Sequence, residues 1–252
     1  MAKLKKPFLF SLSLLPFAIV AGIFVSLYQL DTLSPEMIDE VMAQVGSTEL
    51  LVIISAVQTM GYALFCGFFG YILADKIGLI KPFKPEKSKL IVTFILSLIG
   101  GAVFSLDYWV FGNLIDGIKE ADAAGLTPEG IIASVLYGGI IEEVMLRLFF
   151  MSLIAFILWK IFARGYDKDS IPTWVFITAN IVAATLFAAV HLPATFAIFG
   201  KLSPLILFRC FLLNGGFGLI FGTLYRKYGI IYAMISHALF HIVSKLIWII
   251  FI

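Results

Sequence analysis

Seven long apolar runs constrain this chain more than any other feature. They cover roughly 7–30, 50–74, 90–111, 131–159, 172–192, 204–225 and 229 to the last residue. A helix needs about 20 apolar residues to cross the roughly 30 Å hydrocarbon core of a bilayer. Inside that core every backbone polar group has to be satisfied within the segment. The expected fold class is therefore all-α, a polytopic membrane helical bundle of about seven transmembrane helices (six to eight), forming a single integral membrane domain over 1–252. Composition agrees, with 61% hydrophobic residues, 13% charged residues and a mean hydropathy of +1.04. The first run exceeds the roughly 7–15 residues of a signal-peptide core, so it reads as a retained helix, with Pro16 as the place for a kink. After it, Ser34-Pro35-Glu36 and an amphipathic pattern through Val45 predict a short surface helix.

The basic residues set the expected orientation. With the N-terminus in the cytoplasm and the runs alternating, cytoplasmic segments hold Lys3, Lys5, Lys6, Lys76, Lys81, Lys84, Lys87, Lys89, Lys160, Arg164, Lys168, Arg226 and Lys227. The other side holds only Lys119 and Lys201, and Arg147, Arg209 and Lys245 fall inside runs. Thirteen against two satisfies the positive-inside rule. The expected location is an integral, multi-pass protein of a prokaryotic cell membrane with a cytoplasmic N-terminus. A net charge of +2 gives no reason to expect nucleic acid as a partner. Two cysteines, Cys66 and Cys210, both in apolar runs, allow no disulfide framework or thiolate metal motif.

The chemistry concentrates in Gly138-Gly139-Ile140-Ile141-Glu142-Glu143-Val144-Met145-Leu146-Arg147, inside the fourth run. Charges at membrane depth cost about 2.5–3.5 kcal/mol each or more and mark function by default. Glu143 and Arg147 stand four apart, on one helix face, and can pair. Glu142 lies about 100° around the helix and is free to face something else. That divides the labour into a structural pair and a chemical group. The bland alternative is a purely structural cluster that staples helices together.

All three histidines, His191, His237 and His241, also lie in or at the ends of apolar runs. His237 and His241 share a face of the last helix. Phe187 stands one turn behind His191 and is expected to orient it. Glu142 is eighteen residues from Lys160 and His191 nineteen from Pro172, so at about 1.5 Å per residue they reach similar depth, with His241 about one turn shallower. One polar pocket lined by Glu142, His191, His237 and His241 follows. Two chemistries suit it. In one, Glu142 is a general base on water, His191 orients that water and His237/His241 stabilise an oxyanion, with no cofactor. In the other, Glu142, His191, His237 and His241 hold a divalent metal such as zinc that activates the water. The His-Glu-x-x-His signature is absent, although His-x-x-x-His is present. Elsewhere, Arg209 reads either as a contact for a substrate carboxylate or, preferably, as a residue that snorkels or pairs with a buried acid such as Asp107. The Gly218/Gly222 spacing suggests close helix packing. Asn214 reads either as part of the polar pocket or as a bond to a neighbouring helix.

Glu142-Glu143-x-x-x-Arg147, Phe187-x-x-x-His191 and His237-x-x-x-His241, in that order on separate runs, resemble the CAAX-protease and bacteriocin-processing (CPBP, or Abi) family of intramembrane proteases. The glycine-rich approach from Gly218 to Gly229 is similar as well. The resemblance covers about 131–245, the expected catalytic core helices within the single domain. It implies an intramembrane endopeptidase related to the Ras-converting-enzyme type of CAAX prenyl protease, acting on a membrane-associated peptide or protein in the lipid bilayer. Carried over, Glu142 with His191 activates the water, His237 and His241 form the oxyanion site, and Glu143 and Arg147 support it. Many members have asparagine where this chain has His241. Imidazole also donates a hydrogen bond, so the oxyanion role survives; it is also a better metal ligand, which keeps the metallo-mechanism open. Two other classes compete: a non-proteolytic bacteriocin-immunity or scaffold protein, and a transporter that uses the same groups as a proton relay.

Overall fold

A computed structural model of the protein describes residues 2–252, with side chains from Leu4 onward, so the side chain of Lys3 lies outside the described residues. Among the described residues there are helices and connections but no strand. The first crossing is α1 (Ala2–Ser13) followed by α2 (Leu15–Thr32), interrupted at Leu14 just before Pro16. Proline has no N–H to donate and is tolerated in a first turn, so the break falls where the sequence puts it. The expected surface helix is α3 (Pro35–Val45), whose first turn is capped by the Ser34 hydroxyl accepting from the Met37 N–H.

The second crossing is α4 (Thr48–Lys76) and the third is α5 (Lys87–Ser105), continued by the short α6 (Asp107–Val110). On the far side α7 (Ile118–Ala124) leads into α8 (Pro128–Ala133), which opens the fourth crossing. That crossing ends in α9 (Ser152–Phe162). The fifth is α10 (Thr173–Val190) plus α11 (Leu192–Phe199), the sixth α12 (Pro204–Cys210) plus α13 (Gly216–Tyr228), and the seventh α14 (Ile230–Phe251). Seven helical stretches among these residues are long and apolar enough to cross a membrane. The chain is an integral membrane protein of the expected all-α class.

Two local features differ from plain helices over the apolar runs. The fifth crossing outruns its 172–192 apolar run; the helix bends at His191 and restarts with Pro193 in the first turn of α11. The fourth crossing is not a plain α-helix. Over Ser134–Met151 it is wound in wide π turns with i→i+5 bonding. Asp107, near the far end of the third crossing, is buried, as a partner for Arg209 would be.

The packing is inverted relative to a water-soluble protein. Ile53, Val57, Ile99, Phe162 and Ile250 face outward, while Ser97, Ser236, Thr59 and Arg147 are buried. With no hydrophobic drive between helices in lipid, small residues and polar bonds hold the bundle. Ala18, Ala21, Ala63, Ala179 and Ala183 lie in the core, and Ser97 donates to Ser236 across 3.1 Å. The last helix, α14, packs against α5 and against the π-wound stretch. That contact brings the histidines of α14 to the glutamates.

Candidate active site

Glycine sets the approach of the two elements. A Cβ at Gly139 would lie 2.8 Å from the Ala238 Cβ and 2.9 Å from its Cα. A Cβ at Gly138 would lie 2.9 Å from His241 Nε2. The pair of glycines therefore lets α14 come within backbone contact of the glutamate segment. The wide winding fits the same place, since π turns recur at functional sites.

The two glutamates face different partners. Glu143 is fully buried, and its Oε1 lies 3.1 Å from Arg147 Nη1 and 2.9 Å from His237 Nδ1. Arg147, 1% exposed, also donates from Nη2 to the Gly218 carbonyl at 3.2 Å. Its guanidinium stands 4.5 Å from the Phe187 ring centroid, a cation–π contact that a desolvated site strengthens. Glu142 turns the other way, and its Oε1 lies 3.8 Å from His191 Nε2.

Each imidazole is held. His191 Nδ1 is 2.7 Å from the Phe187 carbonyl oxygen. A carbonyl only accepts, so Nδ1 carries the proton and donates. The Phe187 ring meets the imidazole edge to face at 4.7 Å, so the residue orients His191 with both backbone and ring. His237 is sandwiched, stacked on Phe221 at 4.2 Å and on His241 at 4.9 Å. Its Nε2 meets His241 Nε2 at 3.1 Å. With the Glu143 carboxylate accepting at Nδ1, His237 Nε2 is the acceptor of that contact and His241 Nε2–H the donor.

A cavity of about 270 Å³ connects these groups. Glu142, His191, His237 and His241 all line it, while Glu143 and Arg147 lie behind its wall. All six residues expected from the sequence thus assemble around one cavity, four on its surface and two in support. Tyr28, Tyr137 and Phe217 also line it, and nothing in their spacing distinguished them from ordinary aromatic packing. Asn214 lines it too, although its amide donates back to the Cys210 carbonyl of its own helix at 3.1 Å. Arg209 takes the paired role, gripping Asp107 with two of its nitrogens. Gly222 faces Asn180, whose amide donates to the Leu219 carbonyl at 3.0 Å.

The donor set also bears on a metal. His237 and His241 spend nitrogens on each other and on Glu143. Among the described residues no three His, Cys, Asp or Glu side chains are grouped so that they could hold a metal ion. In this arrangement the four residues do not fit a shared ion.

Residues 126–243 match the sequence model of the family described as Type II CAAX prenyl endopeptidase Rce1-like. The match takes in all six residues above and agrees with the CPBP resemblance. No curated protein and no solved structure matches the chain.

Proposed function

We propose that this chain, whose residues 126–243 match the Rce1-like family model, is an intramembrane endopeptidase of the CAAX-protease-like kind that hydrolyses with a glutamate-activated water. The protein sits in a prokaryotic cell membrane with its N-terminus in the cytoplasm, and its substrate is a membrane-associated peptide or protein.

The observation that carries the mechanism is the Glu142–His191 pair. With the His191 proton committed to Phe187, its Nε2 presents a lone pair to a carboxylate oxygen 3.8 Å away. Two acceptors at that distance are best bridged by a molecule that donates to both. A water that does so turns its own lone pairs toward the cavity, where a peptide carbonyl can take them. In the reaction the water oxygen bonds to the carbonyl carbon, Glu142 takes the released proton, and the carbonyl oxygen becomes an oxyanion. The C–N bond then breaks as Glu142 returns the proton to the leaving nitrogen. General acid–base help of this kind contributes about 10²–10⁴-fold.

The oxyanion donor in this reading is His241 Nε2–H, released from His237 as charge develops. An asparagine at that position would supply an equivalent N–H. Glu143 and Arg147 are positioning residues, holding His237 so that His241 has a fixed partner. This reading routes no step through a metal, and the chelator arm of the test below decides between it and the metallo-mechanism.

The test is cleavage in detergent of a quenched library of C-terminal and membrane-proximal peptides. Glu142→Gln is expected to lose at least about 100-fold in kcat, His241→Asn to keep activity within about tenfold, and a strong chelator to leave the wild type unchanged. Full activity in Glu142→Gln would remove the base from the mechanism. Activity lost to chelator and restored by one divalent ion would replace the mechanism with metal hydrolysis in the same enzyme class. Partner binding that survives in Glu142 and His191 variants of a chain without cleavage activity would favour the immunity or scaffold reading.

A further inference from the structure

The cavity has a direction. Its floor is Phe221 and His237, 2% and 3% exposed. From there it widens past Glu142 and His191, whose side chains are 17% and 31% exposed. The walls beyond come from one half of the bundle. Tyr28 is four residues before Thr32, the end of its crossing, and twenty-four after Leu4, or about 6 Å against about 36 Å at 1.5 Å per residue. Ser134 is six residues inside Pro128 but twenty-eight from Phe162. Phe104 lies toward the Asn113 end of the third crossing and Asn214 toward the Pro204 end of the sixth.

Those four ends share a side. They adjoin the connections that carry Asp31, Glu36, Asp39, Glu40, Asp116, Glu120 and Glu129 but only Lys119 and Lys201 among lysines. The opposite ends of the same helices adjoin Lys76, Lys81, Lys84, Lys87, Lys160, Arg164, Arg226 and Lys227. Basic connections stay in the cytoplasm. Resting on the protease reading and extending it, we propose that the catalytic cavity opens away from the cytoplasm and that the substrate is a peptide or membrane-protein segment presented on the extracytoplasmic side. A tail confined to the cytoplasm would meet the basic end of the bundle, which none of those four wall residues adjoins.

Sidedness is measured first without activity. Single cysteines replace Asp116 in an acidic connection, Ser134 in the cavity wall and Lys84 in a basic loop; the wild type, whose Cys66 and Cys210 are buried, is the background. Intact cells are treated with a membrane-impermeant maleimide. Asp116→Cys and Ser134→Cys are expected to label, and Lys84→Cys only after permeabilisation. Labelling of Lys84→Cys in intact cells, with the other two silent, overturns the proposal. Labelling of Asp116→Cys with Ser134→Cys labelled only after permeabilisation, on the cytoplasmic side, also overturns it, since the mouth would then be elsewhere. The second measurement places one cleavable peptide on either side of a membrane anchor in cells that express the protein. Cleavage on the extracytoplasmic side alone supports the substrate class, and cleavage on the cytoplasmic side alone overturns it. If labelling follows expectation and a peptide cut by the purified protein is cut on neither side, the substrate class fails while the protease reading stands.

Discussion

Gly138 and Gly139 are adjacent, and their replacement by alanine should give two different failures. At Gly138 the new methyl meets a side chain. The 2.9 Å approach to His241 Nε2 is 0.5 Å inside the 3.4 Å at which ordinary contact begins. A shift of that size along the His237–His241 bond stretches it from 3.1 Å to about 3.6 Å, outside hydrogen-bond range. A misplacement of 1 Å in a catalytic group costs about 100-fold, so about half of that displacement should lower kcat by about tenfold. The fold should survive, because a side chain yields and alanine is the better helix former by about 1 kcal/mol. At Gly139 the methyl meets the backbone of Ala238, 2.9 Å at Cα and 3.1 Å at N. Backbone cannot turn aside, so α14 must move and the overpacking should cost about 1–3 kcal/mol. The assays are thermal unfolding in detergent for both variants and turnover of whichever peptide the wild type cleaves. Gly138→Ala with wild-type kcat would refute the claim that His241 must stand where it does. Equal stability of Gly139→Ala and wild type would refute the close helix contact.

Two further outcomes follow from buried charge. Arg147→Leu leaves the fully buried Glu143 carboxylate with His237 alone and should cost about 3–5 kcal/mol of stability, with Arg147→Leu/Glu143→Gln recovering much of it, because the cost lies in the unpaired charge; an unfolding midpoint that falls equally in both variants would contradict this. Asp122, on α7 outside the crossings, has its carboxyl pushed up to about 7 by burial first and by the Asp107 charge second, against Arg209 and Lys245. Its folded pKa lies above the ordinary 3.8, so the native state holds a proton that the unfolded chain releases, and stability falls as pH rises from about 4 to about 7 and then levels. Asp122→Asn should flatten that slope and stabilise the protein at pH 8 by at most about 4 kcal/mol, at about 1.4 kcal/mol per pH unit of the window; an unchanged pH profile would sink the argument.

The spans, the surface helix Pro35–Val45 and the six polar residues that gather at one cavity were legible in the sequence for a physical reason. Lipid admits only apolar helices of membrane length, so run length and charge placement show the crossings directly, and any charge left inside a crossing stands out against them. The i,i+4 spacing likewise put Glu143 with Arg147 and His237 with His241, because neighbours on one helix touch whatever the rest of the chain does. What depended on other helices could not be read that way. Tertiary structure decided that Arg147 and His237 share one Glu143 oxygen, that Phe187 fixes the His191 proton through its carbonyl, and that Asp107 pairs with Arg209, 102 residues along the chain. It also decided the π winding of Ser134–Met151, the bend at His191 and the set of side chains that line the cavity. Each of these depends on how closely two segments distant in sequence can approach; glycines such as Gly138 and Gly139 permit a close approach, but which segment comes against them is set by the packing of the whole bundle.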